Sequence, residues 1–356
     1  MRRPGASRQP TRRGHTDDRR DAARACNRRR PALSTHDRTA AGWATDPERS
    51  NLWLLRAMRW FAIGAGRPLA RVVLHPITLY YLLANGNARR ASAYYLGRVL
   101  GRPARWTDVY RHIHRFASTV LDRVYFLQER FDQFEMASTN AQAIHEPLDR
   151  GEGVMLVGAH LGSFEALRAT AQGRGARVAM LMYEDNARLI NATLAAVAPQ
   201  AQLHTIALGR AGAMLALRRW LDAGGLAGLL ADRTLPGHSP RSRTLRLSFL
   251  GQPARFSDGP FRLAALLRRR VVFMAGLYHG ANRYELRFVE LADFRAQAPD
   301  PGADVDVDQR VREALQRYVT LLESLCVESP YNWFNFFDFW ADDADAAAAD
   351  SNPAPH

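Results

Sequence analysis

From about residue 150 the chain alternates short, nearly continuous apolar runs with stretches of helical periodicity, and this limits the fold more than any other feature. The short apolar runs at 154–158 (VMLVG), 178–183 (VAMLMY), 203–208 (LHTIAL), 226–231 (LAGLLA), 244–249 (TLRLSF), 271–277 (VVFMAGL) and 284–290 (YELRFVE) read as strands. Helical spacing occupies 163–172, 187–198, 211–223, 258–269 and 307–327. Strands without polar alternation are buried on both faces. The pattern therefore predicts an α/β fold with a mixed, mostly parallel sheet covered by helices. Antiparallel pairing is allowed within 226–249 and 271–290, where no helix separates consecutive strands.

The region before the sheet has a different texture. "NLWLLRAMRWFAIGAGRPLARVVLHPITLYYLLAN" (51–85) is rich in Leu, Trp and Tyr, with Arg56, Arg59, Arg67 and Arg71 interspersed. Its uncharged run from Val72 to Ala88 approaches the minimum for a membrane span, but His75, Pro76, Asn85, Gly86 and Asn87 interrupt it, which argues against a clean transmembrane helix. Short N-terminal amphipathic helices lying in a bilayer interface fit the pattern, and so do helices packed on their own protein. "ARRASAYYLGRVL" (88–100) and "WTDVYRHIHRFASTVLDRVYFLQERF" (106–131) continue the helical spacing, with Thr107 at an N-cap position. His112 and His114, two apart, point to different faces of a helix. They are read as lone polar or surface residues rather than a metal pair.

Charge weighs less than its total suggests. The net charge is +14, but the first fifty residues hold 13 Arg against 6 Asp and Glu, half of the excess. Every basic residue is Arg, a uniformity that speaks for genome composition rather than a phosphate-binding surface, so no nucleic-acid partner is expected. An anionic membrane surface stays compatible with it. Cys26 and Cys326 belong to no C-x-x-C or Cys/His cluster, which excludes a disulfide framework or structural zinc and fits a reducing compartment. Arg-rich residues 1–50 lack the apolar stretch of a secretory signal and read as a disordered tail. The expected organisation is thus 1–50 tail, 51–135 amphipathic membrane-associated helical region, 136–340 α/β domain and 341–356 solvated tail.

The chemistry-bearing stretch is "VGAHLGSFEALR" (157–168). His160 follows a strand, at the carboxyl edge where open α/β sheets bind ligands. Gly162 and Ser163 then offer a turn and an N-cap ahead of Glu165. Five residues of continuous helix would leave His160 and Glu165 about 140° apart, but with His160 in the turn they can meet. A carboxylate on one ring nitrogen fixes the imidazole tautomer and prepares the other nitrogen to take a proton. The bland alternative is a polar turn with an acidic residue favouring a helix dipole. Neither a G-x-S-x-G elbow nor a phosphate loop is present, and "GRGAR" (173–177) precedes a strand, so it is no dinucleotide fingerprint.

Read with "LGRAGAM" (208–214), "GLLADRTLPG" (228–237) and "LSFLGQPARFSDGPFRLA" (247–264), in that order, "GAHLGSFEALR" resembles the H-x4-D/E motif of the lysophospholipid acyltransferase superfamily, in the branch of the lipid A late acyltransferases. The resemblance covers roughly residues 52–340. It includes the aromatic "PYNWFNFFDFW" (330–340), similar to a segment of uncharacterised bacterial predicted acyltransferases often associated with glycosyltransferases. It implies a glycerolipid acyltransferase-like domain with His160 as general base and Glu165 as its orienting partner. Asp232, Arg233 and Arg210 would shape the site or contact phosphates, and Ser257, Gly259 and Pro260 would open a helix receiving an anion or developing oxyanion. The implied activity moves a fatty acyl group from an acyl carrier protein or coenzyme A thioester to a hydroxyl or amine of a lipid or glycolipid acceptor, without an acyl-enzyme. No cofactor or metal is implied. The implied location is the cytoplasmic face of a bacterial inner membrane, peripheral or monotopic. Segment 331–340 and the N-terminal helices would supply an acyl groove, unless the aromatic segment is simply core. A thioesterase or lipid hydrolase, and a non-catalytic membrane- or nucleic-acid-binding protein, are the rival readings.

Overall fold

The computed structural model describes residues 49–166, 175–183, 204–233, 243–295 and 303–340, of which 49–59, 62 and 303–306 are described by backbone alone. The tails to residue 48 and from 341, the helix expected over 187–198, and most of that expected over 163–172 lie outside the described residues. Contacts divide the chain into two units, Met1–Pro47 and Glu48–His356, and every element below belongs to the second.

The helical region is one long, kinked element followed by two regular ones. Helix α1 (Arg49–Ala84) breaks direction at Gly66, whose φ of 79° a side chain would strain, and Pro68 just beyond has no N–H to give the preceding turn. Among the described residues no helix is long and apolar enough to cross a membrane. Helix α2 (Gly86–Val99) is capped by Asn85, whose side chain accepts from Ala88 N at 3.0 Å. Helix α3 (Trp106–Leu127) begins one residue before the expected Thr107 cap. Asp108 does the capping instead, accepting Arg105 N at 2.9 Å and a guanidinium bond from Arg102 at 2.8 Å. A carboxylate in the first turn also complements the helix dipole, which a threonine cannot.

Seven strands then form one sheet in the order β1-β9-β8-β2-β5-β3-β4. In chain order the elements are β1 (Glu135–Thr139), α4 (Gln142–Asp149), β2 (Val154–Gly162), β3 (Val178–Tyr183), β4 (His204–Leu208), α5 (Ala213–Asp222), β5 (Leu226–Leu230), β6 (Thr244–Phe249), β7 (Gln252–Ser257), α6 (Gly259–Leu266), β8 (Arg270–Gly280), β9 (Arg283–Asp293) and α7 (Ala303–Glu328). Strands β8, β2, β5, β3 and β4 run parallel. β9 turns back antiparallel on β8, where the sequence allowed it, and β1 joins the edge parallel to β9. The fold is thus α/β with a mixed, mostly parallel sheet flanked by helices. Two strands escape the sequence pattern. β1 (EMAST) is a largely exposed edge strand without an apolar run, and β7 begins Gln-Pro and pairs only with β6, outside the main sheet.

Burial explains the strand signal. Along β2, Met155, Val157, Ala159 and Leu161 enter one apolar cluster with Val109, Ile113, Leu217, Phe261 and Tyr318. Val154 and Leu156 enter a second with Leu74, Leu121, Phe126 and Ile144. Successive side chains of a strand leave on opposite faces, so both faces of β2 are covered. Each fully buried large apolar side chain contributes roughly 1.5–3 kcal/mol. Replacing one by a polar group would cost at least that much.

Candidate active site

His160 stands in an irregularity of the central strand. Gly158 of β2 pairs with Met274 of β8 and Gly162 with Gly276, so four steps on β2 face two on β8 and the intervening residues bulge out of the ladder. Bulges re-aim side chains and leave backbone groups unpaired, and an unpaired buried group is costly. Several find partners outside the β2–β8 ladder. Gly158 O accepts from Ala231 N at 3.0 Å and from the Tyr318 hydroxyl at 3.0 Å, His160 O accepts from Phe334 N at 2.7 Å, and Gly162 N donates to Asn332 O at 2.8 Å. The bulge closes at Gly162, where φ is 72° and an added Cβ would stand 1.9 Å from Gly276 O. Only glycine fits there.

The carboxylate beside His160 is Asp232, and this corrects the expected pairing. Gly158 lies opposite Leu230, the last residue of β5, and Ala231 N bonds Gly158 O just beyond, so the chain leaving β5 runs alongside the bulge and carries Asp232 to His160. Asp232 Oδ1 lies 2.9 Å from His160 Nδ1, and Oδ2 accepts from His160 N at 3.0 Å and from the Trp333 indole at 2.9 Å. Glu165 lies past the Gly162 turn, where its carboxylate is 2.7 Å from Arg123 Nε and accepts from the Ser163 hydroxyl at 3.2 Å. Glu165 therefore does not orient His160.

Exposure grades the pair as a reactive group would require. The Asp232 side chain is 1% exposed and the imidazole 31%. Burial alone would raise the Asp232 carboxyl, but the facing His160 charge and hydrogen bond, Arg233 and the Trp333 indole outweigh it and lower it to about 2. An ionised Asp232 accepts only, so the neutral form of His160 carries its proton on Nδ1 and leaves Nε2 a lone pair. Among the described residues Nε2 has no partner. The next residue after Asp232, Arg233, is half-buried, donates to Phe334 O at 3.2 Å and lies over the Phe337 ring at 5.1 Å. Burial pulls its guanidinium downward and Asp232 opposes the shift. A positive charge is thus held within one residue of the carboxylate.

The other expected site residues are not gathered here. Arg210 lies in the turn after β4, at the same carboxyl edge but three strands from β2, roughly 14 Å away by strand spacing. Ser257 and Gly259 belong to the β7–α6 junction, where the Ser257 hydroxyl accepts from Gly259 N at 3.2 Å. A buried carboxylate, Asp258, already occupies the N-cap and binds Arg262 at 2.6 Å, so an incoming anion would meet like charge at this helix end. Among the described residues no contact joins Ser257, Gly259 or Pro260 to His160.

Residues that spacing did not single out complete the site. Trp333 is fully buried, its indole fixing Asp232 and its backbone bridging to Leu161. His112, expected as a lone polar or surface residue, is buried. Its Nε2 lies 2.8 Å from Trp333 O, which can only accept, and its Nδ1 lies 2.8 Å from the Ser92 hydroxyl. Burial lowers its imidazole to about 4, against the bond to Trp333 O, so it is a neutral prop. The aromatic segment mostly packs as core, with Trp333 5.3 Å from Phe249 and 5.0 Å from Phe339, centroid to centroid.

The fold and site define an α/β protein with a half-exposed imidazole held by a buried carboxylate at the carboxyl edge of a parallel sheet. A search finds no matching protein-family model and no matching curated protein.

Proposed function

We propose that the chain is an acyltransferase of the lysophospholipid acyltransferase type, similar to the lipid A late acyltransferases. It would move a fatty acyl group from an acyl carrier protein or coenzyme A thioester to a hydroxyl or amine of a lipid or glycolipid. The observation that carries this reading is the His160–Asp232 pair, with Nε2 unpartnered among the described residues and the half-buried Arg233 next to Asp232 in the chain. The ordered motif blocks supply the reaction class. His160 Nε2 takes the proton of the acceptor as its oxygen or nitrogen attacks the thioester carbonyl carbon. The tetrahedral intermediate collapses by C–S cleavage, and the leaving thiolate receives the proton from the imidazolium. Asp232 keeps the ring oriented, and Arg233 stands where it would contact a phosphate or shape the pocket.

A place at the cytoplasmic face of an inner membrane belongs to the same reading. Its support is the set of exposed apolar side chains along α1, Trp60, Val72, Tyr80 and Leu83, each more than 60% exposed. Aromatic and aliphatic side chains interspersed with arginine suit the headgroup boundary. The glycerolipid acyltransferase-like fold assignment and the interfacial role of this helix are parts of the proposal.

The test is thiol release from a panel of acyl thioesters, with and without total bacterial lipid, by wild type and His160→Ala. Release that needs added lipid and falls by about 10²–10⁴ in the variant supports acyl transfer. Release without lipid assigns a hydrolase instead, and release indifferent to His160 removes the dyad from the chemistry.

A further inference from the structure

A cleft of about 640 Å³ opens between α1 and the turn joining β8 to β9, lined by Arg67, Arg71, His75, His114, Gln133 and Asn282, with apolar wall from Pro68 and Val72. Arg67, Arg71 and His75 are spaced four apart, so they fall on one helix face. None of them touches His160 or Asp232.

The cleft is built rather than accidental. Arg67 is fixed by Asp122 through two bonds of 2.7 and 2.8 Å and lies over the Phe134 ring. Arg71 bonds the Tyr278 hydroxyl at 2.6 Å, and both arginines bond Ala281 O. Arg115 stands behind, over the Tyr278 ring and bonded to Tyr278 O. His75 Nδ1 lies 2.6 Å from the Tyr110 hydroxyl, and its ring stacks on His114 at 4.6 Å.

Two features point to a ligand. Against the guanidiniums of Arg67, Arg71 and Arg115, the only carboxylate bonded among the described residues is Asp122. Arg67 Nη1 and Arg71 Nε and Nη2 have no partner among them. Two anchored arginines with free donors match the oxygen geometry of a phosphate. On the same helix, outside the basic face, Leu69, Val72, Leu79, Tyr80 and Leu83 are 47–73% exposed. A charged cleft beside a bare apolar strip fits an amphiphile whose charge is at one end.

We propose that this cleft receives a phosphate group, and that its source is the headgroup of an anionic lipid whose chains lie along the exposed apolar residues of α1. Tyr278, bonded by Arg71, is tied through Asn332 to Gly162 beside His160, so the headgroup and the dyad sit at one end of the sheet. The proposal does not need the dyad to act. Loss of vesicle binding in a cleft variant and loss of thiol release in His160→Ala are separate readouts.

The experiment measures binding of the full chain to phosphatidylcholine vesicles with and without phosphatidylglycerol, for wild type, Arg71→Gln, His75→Gln and Arg218→Gln. Arg218 lies on α5, is 68% exposed and serves as the matched loss of one surface charge. A second arm follows thermal unfolding in inorganic phosphate against chloride at equal ionic strength, which also reports whether each variant folds. We expect tighter binding to phosphatidylglycerol vesicles, at least about tenfold weakened by Arg71→Gln and several-fold by the exposed His75→Gln. Arg218→Gln should lose no more than the roughly fivefold that one basic residue contributes near a membrane. Phosphate should raise the unfolding temperature of wild type and not of Arg71→Gln. Phosphate protection without any effect on vesicle binding would overturn the lipid as source. Equal vesicle losses in Arg71→Gln and Arg218→Gln, with no protection by phosphate, would overturn the site.

Discussion

Asp232→Asn separates the His160–Asp232 pair from the His160–Glu165 pair that spacing suggests. Asp232 accepts from three N–H groups: His160 Nδ1 on Oδ1, and His160 N and the Trp333 indole on Oδ2. Asparagine offers one oxygen and one NH₂ in the same volume. If the oxygen faces Nδ1, the NH₂ is pressed against two buried donors, at about 1–3 kcal/mol for each unsatisfied group. The opposite orientation satisfies both donors and presents NH₂ to Nδ1, and it wins. His160 must then accept at Nδ1 and carry its proton on Nε2, which is no longer a base. The variant should fold and lose about 10²–10⁴ in kcat/KM, or about 3–5 kcal/mol of transition-state stabilisation. Glu165→Gln removes the bond to Arg123 but leaves the His160–Asp232 contact in place, so thiol release should change by no more than about fivefold, or about 1 kcal/mol of barrier. Thiol release measures both, and the nitrogen NMR spectrum of the His160 imidazole reads the tautomer directly. An active Asp232→Asn, or a Glu165→Gln as impaired as it, would refute the assignment.

Two further outcomes follow from the architecture. Gly162→Ala combines a φ of 72° with a Cβ 1.9 Å from Gly276 O, so it should destabilise by several kcal/mol in urea unfolding, whereas Gly175→Ala, open to space at a φ of 64°, should cost only about 1 kcal/mol. Burial lowers His112 from 6.5 to about 4, so the unfolded chain binds its proton first, and stability falls as pH drops below 6.5 and levels near 4. The loss should reach about 3 kcal/mol by pH 4, and His112→Gln should flatten that part of the urea-stability profile.

The parallel sheet was legible because its strands are buried on both faces, so apolar runs such as 154–158 and 271–277 carry the signal without help from context. β1 was not legible, because an exposed edge strand needs no apolar residues and its placement depends on β9, about 150 residues downstream. Gly66 and Pro68 were visible, but the sequence does not say that the helix resumes beyond them. Within the site, His160 was found because it follows the apolar run 154–158, although the strand itself continues past it to Gly162. Its partner was misassigned because a five-residue spacing is local, whereas the β2–β5 register that brings Asp232 alongside is not a property of either segment.

The C-terminal aromatic segment, which composition alone leaves divided between core and groove, takes its place from the same bulge. A bulged strand exposes polar backbone, and only another piece of chain with free N–H and C=O groups can pair it without covering the side chain. Residues 332–334 do this edge-on, through Asn332 O, the Leu161–Trp333 bridge and Phe334 N, which leaves the imidazole 31% exposed. Trp333 then uses its one polar atom to fix Asp232, while its ring packs among Tyr95, Phe249 and Phe339. Core and site are therefore one object here: the aromatic packing positions the indole N–H, and the indole N–H helps hold the carboxylate that orients His160.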